Sequence, residues 1–453
     1  MSFGEKILEY KNDILHDLGE LIAVRSISST DKNAAESALD YMLQKGKDMG
    51  FTVKKVNSRC GHIEYGEGSD TAAVLAHVDV VPAGSGWSVE PFALTEKDGR
   101  YFGRGIVDDK GPAVIALYCL KALKDNNIST KRRIRLILGA AEEIGMNDME
   151  DYFAAEELPS MAFTPDSDYG ICLKEKGIMQ LEVSAATHDG TILTEFRSGS
   201  AVNAVPSQAY ALVDCTETED NQLRRFADAK PGEYDFIYTM DGVGINAKGK
   251  AAHASTPQLG LNTATHLIRI LAVNFGQLAL GSLCSFIDDA IGTETDGMSL
   301  GIDCSDEESG ALTVNVGVVE INDDVCRCLL DIRYPVSADS GGILRKVRQR
   351  AAIDGLKTKL INHEYPLSMD KDATIVSLLS QAYENITGEK PDLYSTGGGT
   401  YARTLNNKGV AFGPTFPGDD THIHDADESI DQENFFRHAC ICLEAVKGMA
   451  EYE

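Results

Sequence analysis

His77 and Asp79 stand two residues apart, Asp108 and Asp109 are adjacent, Glu142 is followed by Glu143, and Asp166 closes the step Thr164-Pro165-Asp166. Imidazole and carboxylate together, with no thiolate among them, are donors that suit zinc and other divalent first-row ions. On an extended strand His77 and Asp79 share a face. Asp79 can then accept the second ring N–H of His77 and hold its tautomer. The neighbouring side chains of Glu142 and Glu143 diverge, so one can bind a metal while the other faces water as a general base. Each piece also has an ordinary reading. His-x-Asp recurs by chance, strand ends are commonly polar, and Asp108-Asp109 could simply cap a helix.

The elements that carry these residues decide between the two readings. Residues 71–77 read as a buried strand ending in His77, 133–141 as a strand running into Glu142, and 161–164 as a strand running into Asp166. A helical face over 109–125, with Pro112 near its start, follows Asp108-Asp109. Strands alternating with helices predict an α/β fold built on a mostly parallel, doubly wound sheet. In such sheets ligands bind beyond the carboxyl ends of the strands. Four acidic or imidazole clusters gathered there would repel one another unless cations neutralised them. A metal site becomes the better reading. From about residue 177 the texture shifts to alternating strands (179–185, 209–215, 245–250 and 311–318) with a helix over about 256–275, which predicts a second, α+β domain. Helical patterns return over 373–386 and from 432, around the glycine-rich turn 397–399. Pattern alone leaves open whether this last stretch is separate or completes the first domain.

Composition narrows the class. The 453 residues carry 42 Lys+Arg against 70 Asp+Glu, a formal charge of −28. Nucleic acid and anionic membranes both need a basic surface, so neither is an expected partner. No stretch reaches the roughly 18 apolar residues of a membrane span, and residues 1–6 lack the pattern of a secretory leader. Ten cysteines include no C-x-x-C pair, and the two C-x-C pairs, Cys326/Cys328 and Cys440/Cys442, lie in apolar-rich segments suited to a core. A reduced, soluble, cytoplasmic protein is expected.

The runs LAHVDVVP (75–82) and GRGIVDDKG (103–111) resemble motifs of the M20 metallopeptidase family. So do Glu142-Glu143 with Thr164-Pro165-Asp166, and PGDDTHIH (417–424). The resemblance spans essentially the whole chain and is strongest to the PepV-like dipeptidase branch. It implies a discontinuous catalytic domain of residues 1–177 and 368–453, interrupted by a lid of residues 178–367. It implies two divalent ions, zinc first with manganese or cobalt as alternatives, bridged by Asp108. His77 and Asp166 would complete one ion's shell, and Glu143 and His424 the other's. His422 is a rival to His424, which is preferred because the family's histidine precedes an acidic residue by four, here Glu428. The family usually places Asn before that Glu, where this chain has Asp427.

By the same resemblance Glu142 is the general base, Asp79 supports His77, and His253 in GKAAHAS (249–255) reaches the reacting carbonyl. Asn203 and Arg333 would hold the substrate, with Gly398 and Thr400 of the glycine-rich turn walling its end. That turn lacks the lysine of a phosphate-binding loop. The implied function is dipeptide hydrolysis by a monomer, with a metal-activated water. Another M20-type amidohydrolase, a carboxypeptidase or an N-acyl-amino-acid deacylase, would share the metal residues. A non-catalytic metal- or peptide-binding protein would have no need of Glu142.

Overall fold

The structure, a computed structural model, describes residues 2–453; Met1, which opens the segment read as no leader, lies outside them. The chain forms two compact units. One holds the chain up to Lys174 together with Leu367–Ser395 and Gly399–Glu453; the other holds Glu175–Pro366 and Thr396–Gly398.

The first unit is an α/β structure around a nine-stranded mixed sheet. Its centre is parallel: Arg133–Gly139, Thr71–His77, Met161–Thr164 and Gly409–Ala411 lie side by side in that order. Antiparallel strands extend it on both sides. Thr71–His77 and Arg133–Gly139 are buried along nearly their whole length, as their short apolar runs require of strands covered on both faces. Gly409–Ala411 pairs with Met161–Thr164, so the last part of the chain completes the first unit. The helices Lys110–Asp125, Thr374–Thr387 and Gln432–Glu451 pack together against the sheet's core. Gln432–Glu451 starts on Asp431, whose side chain accepts the N–H groups of Glu433 and Asn434. Cys119, Cys440 and Cys442 are buried here, and all ten cysteines of the chain are free thiols.

Two loops of this unit are fastened to each other by a buried ion pair. Arg104 and Glu428 are 1% and 0% exposed, and Arg104 Nη1 donates to Glu428 Oε2 at 2.6 Å. The same carboxylate accepts the N–H groups of Gly105, Val107 and Asp108 at 3.0, 3.0 and 3.3 Å. Arg104 Nη2 also donates to the carbonyl of Asp425 at 2.9 Å. Arg100 ties down the neighbouring stretch through Asp419, the Asp420 carbonyl and Ser429. Asp427 accepts the Ser88 N–H at 2.7 Å, a bond for which its carboxylate serves as well as an Asn carbonyl would. These anchors hold a loop in which His422, His424 and Asp427 all have left-handed backbone (φ 51°, 62° and 61°). That conformation costs a non-glycine residue about 1–2 kcal/mol and persists only where the surroundings enforce it.

The second unit is α+β. Its eight-stranded antiparallel sheet runs, edge to edge, Glu233–Thr239, Gly242–Lys248, Gln208–Val213, Leu193–Ser198, Thr313–Ile321, Cys326–Tyr334, Gly177–Ser184 and Lys357–Glu364. The helices Glu217–Ala227, Thr263–Phe275 and Ser340–Ile353 contribute apolar side chains to one core with it. The helix expected from about residue 256 begins at Thr263 instead. Pro257–Leu259 forms only a short 3-10 turn, Gly260 is extended, and the Asn262 side chain caps the true start by accepting from Ala264 and Thr265. A cap two residues beyond a glycine outweighs the helical apolar spacing upstream.

Two stability effects follow. Arg104→Met keeps bulk but leaves the Glu428 charge buried without its cation; urea unfolding should show a loss of about 3–5 kcal/mol, and a loss below about 1 kcal/mol would contradict the anchoring role. His438 is fully buried, bonded to Tyr169 Oη at 2.8 Å, and burial pushes its pKa down to about 3 from 6.5. The unfolded chain therefore binds a proton there that the folded chain refuses, and stability falls as pH drops below 6.5 toward 3, by about 1.4 kcal/mol per pH unit from this residue. His438→Gln should flatten that slope by the same amount; an unchanged slope would contradict the assignment.

Candidate functional site

At the carboxyl end of the parallel strands the first unit brings two groups of donors together. His77, Asp108 and Asp166 form one, and Asp108, Glu143 and His424 the other, with the donor atoms of each group within 4.8 Å of one another. Asp108 belongs to both. Its Oδ1 lies 2.8 Å from His77 Nε2 and its Oδ2 lies 2.8 Å from His424 Nε2. His424 Nε2 is 3.3 Å from Glu143 Oε1, and His77 Nε2 is 3.9 Å from Asp166 Oδ2. His422 is not in either group; its Nε2 stands 3.6 Å from Asp420.

Each side chain arrives by a local device. His77 ends its strand, and its Nδ1 donates to the Asp79 carbonyl at 3.0 Å, which turns Nε2 toward Asp108. The Asp79 carboxylate, 3.4 Å from Nδ1, accepts instead the N–H groups of Glu142 and Glu143 at 3.2 and 3.3 Å. It thereby sets the short turn Glu142–Ile144 that carries both glutamates. Asp109 occupies the cap position of Lys110–Asp125, yet its side chain caps no helical N–H. It accepts the His77 N–H at 3.1 Å. Lys110 turns away to the carbonyls of Leu21 and Val24 at the end of the helix Lys11–Ala23.

The electrostatics are those of a buried cluster of carboxylates around two imidazoles. Burial pushes the carboxyls of Glu142, Glu143 and Asp166 up, and neighbouring carboxylates add to the rise. Burial would also raise Asp108, but His424 and His77 hold it below the ordinary carboxylate range. Burial opposes charge on the two histidines, and the carboxylates around them carry both above their ordinary values. The buried atoms His77 Nε2 and Glu143 Oε1, one in each group, have the other members of their groups as near neighbours. Imidazole nitrogen and carboxylate oxygen gathered in this way around one carboxylate fit divalent cations.

The remaining expected residues divide between the units. Thr400, in the first, caps the turn Tyr401–Leu405 through Ala402 N–H. Asn203 and His253, in the second, are brought together by the paired strands Ala204–Val205 and Ala252–His253, and the Asn203 carbonyl accepts the Ala254 N–H at 2.9 Å. His253 Nδ1 is 2.6 Å from Ser255 Oγ. Arg333 is bound along one edge by Asp331, with Nε to Oδ1 at 2.5 Å and Nη2 to Oδ2 at 3.0 Å. Its Nη1 donates to the Gly397 carbonyl at 3.1 Å, beside Gly398. Sequence reasoning missed Arg104, Asp148, Asp331 and Tyr401 as contributors, and for Asp109 it offered a helix cap where the fold gives a bond to the His77 N–H. Only the position of Arg104 in the run before Asp108-Asp109, and of Tyr401 after the glycine-rich turn, offered a signal.

No helix among the described residues is long and apolar enough to cross a membrane. The sequence pattern of the family described as Peptidase family M20/M25/M40 matches residues 73–447. The chain is 34% identical to the Bacillus subtilis protein named "Putative dipeptidase YtjP" over 475 aligned positions, which cover all of both chains. It is 33% identical to a Staphylococcus epidermidis protein named "Putative dipeptidase" over 464 positions, 98% of each. Among solved structures, the dipeptidase Dug1p of Saccharomyces cerevisiae superposes with a TM-score of 0.63 at 15% identity, over 99% of this chain and 98% of that one. Human carnosine dipeptidase 1 gives 0.61 at 13% identity, over 99% of this chain and 99% of that one. These matches run the length of the chain, and the chain belongs to the M20 peptidase family.

Proposed function

We propose that this chain is a two-metal dipeptidase, with residues 1–177 and 368–453 as its catalytic domain and 178–367 as a lid. The observation that carries the reading is the shared carboxylate of Asp108, with one oxygen toward each of two donor groups. Full-length relatives named as dipeptidases support the substrate class. His77, Asp108 and Asp166 would hold one ion, and Asp108, Glu143 and His424 the other. Zinc suits these donors best, and manganese or cobalt suits them as well. Divalent ions bound there supply Lewis acidity to the scissile carbonyl and to the attacking water.

The chain's own groups do the rest. Glu142 takes the proton of the attacking water and returns it to the leaving amine, a transfer that its raised pKa favours. Asp79 keeps Glu142 and Glu143 on one rigid turn, so that base and ligand diverge from a fixed backbone. His253 donates to the developing oxyanion, and Asn203 helps to orient the substrate. Asp331 and Gly397 occupy part of the Arg333 guanidinium. The remaining N–H groups of that fork can receive the substrate's terminal carboxylate, while Gly398 and Thr400 wall its end. The acidic surface and free thiols suit a monomer working in the reducing cytoplasm.

Glu142→Ala, at full metal content, is expected to lose about 10²–10⁴-fold in kcat on dipeptides. Wild-type turnover in that variant would remove Glu142 from the role. The same preparation assayed on dipeptides, tripeptides and N-acyl amino acids should favour dipeptides. Preference for N-acyl amino acids would assign a deacylase, and absence of metal-dependent hydrolysis on all three would leave a binding protein.

A further inference from the structure

Asp148 is a fully buried carboxylate to which the mechanism above gives no role. Its Oδ2 accepts three hydrogen bonds, from the N–H of Ala140 at 2.9 Å, the N–H of Ala141 at 2.9 Å and the hydroxyl of Tyr401 at 2.6 Å. Its Oδ1 accepts the Met149 N–H at 2.9 Å, within the first turn of Asn147–Ala155. The next two N–H groups along the chain, those of Glu142 and Glu143, go to Asp79. Four consecutive backbone N–H groups, from 140 to 143, thus reach two buried carboxylates, the first of them shared with the Arg59 carbonyl. Asp148 secures the side where the chain leaves the strand, and Asp79 the side where the glutamates project.

Tyr401 connects this clamp to a proposed metal ligand. Its hydroxyl holds Asp148, and its ring meets the His77 imidazole edge to face at 6.1 Å and 82°. Tyr401 is 1% exposed and opens the turn capped by Thr400. The space is closely fitted: a Cβ on Gly139 would collide with both Tyr401 Oη and Asp148 Oδ2, so glycine alone leaves room for the pair. Tyr401 thus meets His77 through its ring and, through its hydroxyl on Asp148, the backbone that leads into Glu142.

We propose that Asp148 and Tyr401 are a positioning pair for the proton-transfer residue, fixing the backbone from which Glu142 reaches the reacting water. This rests on Glu142 being the base. Of the residues proposed to hold substrate only Thr400 adjoins Tyr401, and its cap bond to the Ala402 N–H does not use the Tyr401 hydroxyl, so loosening the clamp should act on kcat and spare KM.

The test is Tyr401→Phe, which keeps the ring against His77 and removes only the hydroxyl. At saturating metal, with metal content measured, kcat on a dipeptide is expected to fall about tenfold or more while KM stays within about threefold, since misplacements near 1 Å cost up to about 10²-fold. Asp148→Asn, which retains an oxygen for the two N–H groups, should lose less than Asp148→Ala. Tyr152→Phe is the control: it removes another buried hydroxyl, one on the helix that carries Asp148, bonded to His62 and Arg135. It should lower Tm and leave kcat unchanged. Wild-type kcat in Tyr401→Phe, or equal kcat losses in Tyr401→Phe and Tyr152→Phe, would overturn the proposal. Glu142→Gln assayed alongside separates the two failures. If it retains turnover, the base assignment falls and the pair's role with it. If it is inactive while Tyr401→Phe turns over normally, only the pair's role falls.

Discussion

The first unit is organised around one buried carboxylate placed between two imidazoles. Asp108 presents a different oxygen to His77 and to His424, each at 2.8 Å. A carboxylate so placed cannot be left to flexible backbone. Glu428 takes the N–H of Asp108 itself and those of Gly105 and Val107. Asp109, next in sequence, holds the N–H of His77. Removing Asp108 would leave both histidines without their common neighbour.

That repulsion explains why so many buried acids coexist in one place. Asp79, Asp109 and Asp148 are each fully buried and each bonded to backbone N–H groups, so their negative ends organise loops. Asp108, Glu143 and Asp166 point at the histidines and at one another, an arrangement that divalent cations would relieve. The remaining excess of the −28 charge lies mostly on the surface and has no such partner. Net charge is a blunt guide here. What distinguishes a working carboxylate is whether its lone pairs are already committed to the backbone.

Much of the frame could be read from local pattern. The strands Thr71–His77, Arg133–Gly139 and Met161–Thr164 announce themselves as short apolar runs, and their polar ends point to the site. The helix Lys110–Asp125 follows from its spacing. Local pattern fails where a role depends on distant chain. Arg104 and Glu428 are 324 residues apart, and Asp148 and Tyr401 are 253 apart. The two carboxylates, Glu428 and Asp148, also accept backbone N–H groups, which leave no mark in the side-chain sequence. Asp109 shows the same limit: beside a helix start it reads as a cap, while the fold gives its carboxylate to His77. The pairing of Gly409–Ala411 with Met161–Thr164 likewise joins stretches that no periodicity connects.

The most direct test of the account is metal stoichiometry in Asp108→Asn, measured by elemental analysis after equilibration at an ion concentration that saturates the wild type. A bridging carboxylate predicts that both ions are weakened together, so that bound metal falls well below one ion per chain. Retention of one ion at wild-type affinity would show that Asp108 serves a single site, and the two-metal account would be contradicted.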